Sequence, residues 1–127
     1  MDVFPINAEG APMKKPLTAA LLSPEMNPER VGERVTALRE ALGKSKAQFA
    51  DAIQLDRSSL TKIEAGSKGL DIAVGARIAE MFGAGLDYLY RGLLTDVPES
   101  LRVQVMAEIH AARSAKVLPK KTTGIDG

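Results

Sequence analysis

Arg57, Ser58, Ser59, Thr61 and Lys62 stand close together in the chain, directly after Asp56 and shortly before Gly66. Arginine offers a rigid fork of donors, serine and threonine hydroxyls donate or accept, and lysine is a mobile point charge. Set side by side on a helix, such groups match the base edges in a DNA groove. An arginine fork fits guanine O6 and N7 and is worth about 1–3 kcal/mol of discrimination. A solvated helix face accounts for the same residue types equally well, so the decision passes to the elements that must hold them.

The spacing predicts two short helices around a tight turn, from Ser45 to Gly66. Ser45 and Gln48 have the spacing of a capping box, and Leu55 and Leu60 that of a hydrophobic staple across an Asp56 N-cap. Phe49, Ala50 and Ile53 form the inner face of the first helix, and Leu60 and Ile63 that of the second. Helices this short are not stable alone, so neighbours must complete them. Ahead of them, Asn27-Pro28-Glu29 opens a helix, with Asn27 expected to accept a bond from a free N–H and Pro28 suited to the first position. Val31, Val35, Leu38 and Leu42 then make one apolar stripe up to Gly43. Behind them, Asp71 opens a fourth helix carrying Ile72, Ile78, Ala79 and Phe82. Leu86 to Tyr90 make a fifth, with Leu86 and Leu89 inward. Asp96-Val97-Pro98-Glu99 opens a sixth, whose Leu101, Val105, Ile109 and Ala112 share a face to about Ala115. The expected fold is all-α: a five-helix bundle plus a C-terminal helix. Its expected divisions are a flexible arm at 1–26, a domain at 27–92, a helical element at 93–117 and a disordered tail at 118–127.

Composition sets the outer bounds. A length of 127 residues fits one small domain with room for tails. Aromatic residues are few and Trp is absent, so a core must come from Leu, Ile, Val, Ala and Met. The absence of Cys excludes a disulfide framework and thiolate metal sites. It suits a reducing compartment, and a cytoplasmic location is expected. Net charge is only +1, so any basic patch is local; from Lys44 to Lys68 the excess is two positive charges. No apolar run approaches the ~20 residues of a membrane span. Met13-Lys14-Lys15 followed by the Leu17–Leu22 run faintly resembles a secretory signal, but Pro16 separates the two, the run is shorter than an h-region, and no small-residue cleavage site follows.

With these residues in place, the stretch from Val31 to Gly92 resembles the phage-repressor, or xenobiotic-response-element, type of helix-turn-helix domain. The likeness covers about half the chain. It rests on Ala50, Leu60 and Ile63, on Glu64-x-Gly66, and on the later IAEMFG and LDYLYRG runs. It implies a five-helix bundle whose third helix enters the major groove and whose second crosses the phosphate backbone. Carried over residue by residue, Arg57, Ser58, Thr61 and Lys62 match the base-reading positions. Lys46 holds a position where the family usually has Gln and is assigned to phosphate, with Lys44, Ser59 and Lys68 as further phosphate candidates. Arg39 and Glu64 match a structural ion pair between the first and third helices. The sequence departs from the family in two places. Gln54 replaces the usual turn Gly, and Gly75 replaces a large apolar residue, leaving a space that Met81 or a C-terminal side chain is expected to fill.

No nucleophile–base set is present, His110 has no partner cluster, and Glu64 to Lys68 lacks phosphate-loop spacing. Neither enzyme activity nor a cofactor or metal is expected. The resemblance implies a transcriptional regulator that binds double-stranded DNA as a homodimer on a palindromic site. The last helix serves either as the dimer surface or as a strap on its own domain. A rival reading is a protein-interaction module, such as an antitoxin that binds a partner through this helix. A third is a degenerate domain that no longer binds DNA, favoured by Gln54 and the low charge.

Overall fold

A computed structural model describes residues 23–117 of the protein, with side chains from 23 to 115. Within them the chain forms α1 (Pro28–Ala41), α2 (Lys46–Ala52), α3 (Arg57–Ala65), α4 (Ile72–Phe82), α5 (Leu86–Arg91) and α6 (Glu99–Val117), with short 3-10 turns at Pro24–Met26 and Leu94–Asp96. No strand occurs among the described residues. The architecture is the expected all-α bundle with a C-terminal helix. Most of the expected arm at 1–26, and all of the tail at 118–127, lie outside the described residues. The last arm residues depart from the expectation: Pro24–Met26 is a helical turn tied to α1.

The helix boundaries follow local chemistry. Ser45 and Gln48 complete the capping box reciprocally, at 2.9 and 3.1 Å. Gly66 ends α3 in the left-handed conformation, φ 82°, which costs glycine little. Asn27 behaves otherwise than expected: its side chain caps nothing, and α1 begins through its carbonyl, which accepts from Val31 N–H at 3.0 Å.

The core gathers Val31, Val35 and Leu38 from α1, Phe49, Ala50 and Ile53 from the α2 region, Leu60 and Ile63 from α3, and Ile78 from α4. Phe49 stacks on Phe82 with ring centroids 4.9 Å apart. In α5 the inward pair is Tyr88 and Leu89, while Leu86 is exposed. Tyr88 is accommodated because its hydroxyl donates to the buried Arg34 carbonyl at 2.6 Å; burial pushes that phenol's pKa up. The space at Gly75 is filled by Leu86 and Tyr90, not by Met81, which is exposed; a Cβ at Gly75 would stand 3.2–3.3 Å from those two side chains.

Two features join the bundle's ends. Arg34 is a buried cation: it donates to the Leu89 carbonyl at 3.0 Å, to the Glu25 carbonyl at 2.7 Å and to the Glu25 carboxylate. Burial lowers its pKa, opposed by Glu25. α6 packs along α1, burying Val105 and half-burying Leu101 and Ile109, with Arg113 bonded to Glu33 at 3.0 Å. Its other side remains open. Val103 is 80% exposed and Met106 54%, on a groove of about 730 Å³ shared with Leu94, Ile109, Arg91 and Arg113.

Candidate nucleic-acid interface

α2 and α3 meet through a short turn closed by the Leu55 N–H bond to the Ala50 carbonyl, 2.9 Å. Gln54 adopts φ 58° in this turn and is the one non-glycine at positive φ among the described residues. The inner sides of both helices are closed by Phe49, Ala50, Ile53, Leu60 and Ile63, all buried. α3 also lies directly on α1. A Cβ at Gly32 would overlap the Ile63 carbonyl and stand 2.8 Å from that of Glu64, so only glycine permits this approach.

Arg39 fixes the same contact from the side. It grips Glu64 with two bonds, Nε to Oε2 at 2.8 Å and Nη2 to Oε1 at 3.1 Å, and donates to the Lys44 carbonyl at 2.9 Å. Both side chains are nearly buried, 9% and 5% exposed. The bond to Glu64 holds the Arg39 pKa above its ordinary value. One guanidinium thus ties the end of α1, the start of α2 and the end of α3.

The outward face of α3 carries Arg57, Ser58, Thr61 and Lys62, all exposed. The side chains of Arg57, Thr61 and Lys62 bond to no other described residue. The two serines differ. Ser58 Oγ donates to Asp56 Oδ2 and Ser59 Oγ to Asp56 Oδ1, each at 2.8 Å, while Ser59 N–H caps the helix on Oδ2 at 2.9 Å. The Ser59 N–H above all, then the two hydroxyls, hold the Asp56 pKa down at about 2. Ser59 Oγ also accepts from Lys68 Nζ at 3.3 Å. Its proton is therefore spent, and phosphate, an acceptor, finds no donor on it. Lys68, Lys46 and Lys44 border the motif, the first exposed and the other two half-buried.

Sequence reasoning missed Asp56 as the residue that orders both serine hydroxyls. The signal was available in the Asp-x-Ser-Ser spacing, since Asp side chains bond to hydroxyls and N–H groups two and three residues on.

A family model described as a helix-turn-helix domain matches residues 30–89, just under half of the chain. Those residues form a helix-turn-helix domain. No curated protein and no solved structure shows significant similarity to the chain. The matched span runs from α1 into α5, so the helix-turn-helix domain takes in the motif, the Arg39 clamp and Leu89, but not α6.

Proposed function

We propose that the protein binds double-stranded DNA sequence-specifically as a transcriptional regulator of the phage-repressor type, with α3 in the major groove. The observation that carries this is the division of α3: Leu60, Ile63 and Glu64 are committed to the bundle, while the exposed Arg57, Thr61 and Lys62 side chains have no partner among the described residues. Exposed donors that no other described residue satisfies, on the second helix of this motif, support a reading in which they bond base edges. Arg57, Ser58, Thr61 and Lys62 are assigned to bases, and Lys44, Lys46 and Lys68 to phosphates. Ser59 serves to steady Lys68 through their mutual bond.

The active form is proposed to be a homodimer, since one such motif makes a small contact area. The exposed Val103 and Met106 on α6 support this, and they equally favour the second reading, a protein partner bound there.

The test is selection of bound duplexes from random DNA at physiological salt. A defined motif is expected. Arg57→Ala then relaxes preference at one position, while Lys46→Ala weakens all sequences alike and reduces the salt slope by about one. Enrichment of no motif by folded protein removes the regulator reading and leaves the partner-binding one.

A further inference from the structure

We propose that Asp56 fixes the hydrogen-bonding sense of Ser58, so that the start of α3 selects a base that presents an amino donor in the major groove, adenine or cytosine, at one position of the bound site. This rests on the DNA-binding reading above.

An ionised carboxylate only accepts. Ser58 Oγ lies 2.8 Å from Asp56 Oδ2, so the hydroxyl must donate to it. A serine hydroxyl has a single proton. With that proton spent, the exposed Ser58 oxygen turns lone pairs alone toward any ligand. In the major groove the amino groups N6–H₂ of adenine and N4–H₂ of cytosine are donors, whereas guanine O6 and N7 and thymine O4 are acceptors. An acceptor-only oxygen bonds the first pair and sets lone pair against lone pair with the second. Asp56 is itself exposed and adds negative charge on the same side. Ser59 is bound twice and half-buried, so the selecting oxygen is that of Ser58. Arg57, the preceding residue, is donor-only. The start of α3 therefore presents two adjacent groups of opposite sense.

The full chain is first used to select a site, which is then titrated with wild type, Ser58→Ala and Asp56→Ser. Serine caps a helix about as well as aspartate, but its single oxygen, engaged by Ser59 N–H, leaves the Ser58 hydroxyl free to rotate. The position flattened by Ser58→Ala identifies the contact. There, wild type is expected to favour adenine or cytosine on the contacted strand about fivefold, the value of one hydrogen bond. Replacing that adenine by purine, which lacks the 6-amino group, costs wild type the same factor and Ser58→Ala nothing. Asp56→Ser loses the preference at this position alone. Ser58 is exposed, so its alanine variant keeps the purine comparison readable even where Asp56→Ser loosens α3. Wild type indifferent to the missing amino group, or Asp56→Ser with its preference intact, overturns the proposal and leaves DNA binding standing. Failure of wild type to select any motif overturns both.

Discussion

Gln54 carries the clearest local cost in the domain. A side chain in the left-handed region crowds the following carbonyl by about 1–2 kcal/mol, and Gln54 sits there at φ 58°. Its side chain is exposed and bonds to no other described residue, so nothing visible offsets the strain. Gln54→Gly is expected to raise stability by up to about 1 kcal/mol, the relief being reduced by glycine's greater freedom in the unfolded chain. Chemical denaturation at constant slope measures it, and an unchanged or lower midpoint contradicts it. The departure from glycine was legible in the sequence because turn geometry is local. The capture of both serine hydroxyls was half-legible: Asp56 was readable as a cap, but exposed serines on an outward face look free until their distances to it are known.

Among elements, the relation between α1 and α3 decides the aim of the motif. Glu64 is held by Arg39 in a nearly dry fork, and Arg39 also serves the Lys44 carbonyl. Removing one partner of such a pair strands the other, which commonly costs about 3–5 kcal/mol. Arg39→Ala is expected to be worse than Glu64→Ala, because it also frees a carbonyl. The double variant should be less damaging than the sum of the two, with a coupling of about 1–3 kcal/mol; additivity within error in thermal unfolding would falsify this arrangement. Six helices were readable from caps and apolar spacing, since both are short-range signals. Partners across the fold were not, apart from Arg39 with Glu64, which the family resemblance implied. Arg34 falls on the same face of α1 as Val31 and Leu38, but its bonds to Glu25 and Leu89 depend on where the chain returns. Likewise Tyr88 can be fully buried because a distant carbonyl is there to receive its hydroxyl.

On the scale of the whole molecule, α6 has two sides with different duties. Val105, with Val97 just ahead of the helix, is fully buried, and Leu101 and Ile109 are half-buried. At about 1.5–3 kcal/mol for each full burial, this is comparable to the whole stability of a small domain. Deleting residues 97–127 is therefore expected to unfold the helix-turn-helix domain, not to release an intact monomer. Val103→Glu with Met106→Glu changes only the exposed side, and should leave the melting temperature within a few degrees while converting a dimer to a monomer. Sedimentation of the full chain, paired with thermal unfolding, separates the two. A wild-type monomer, or a double variant that stays dimeric, removes this surface from self-association.

Gly32 gives the contact between α1 and α3 an unusual character. Where most helices meet through side chains that can change rotamer, here one backbone rests against another, and nothing adjustable lies between. The pose of α3 is thus insulated from repacking elsewhere, while its outward residues owe nothing to the interior. Address and holder are separable: on the proposed reading, exchanging Arg57, Thr61 or Lys62 rewrites what the surface spells without retuning the frame that presents it.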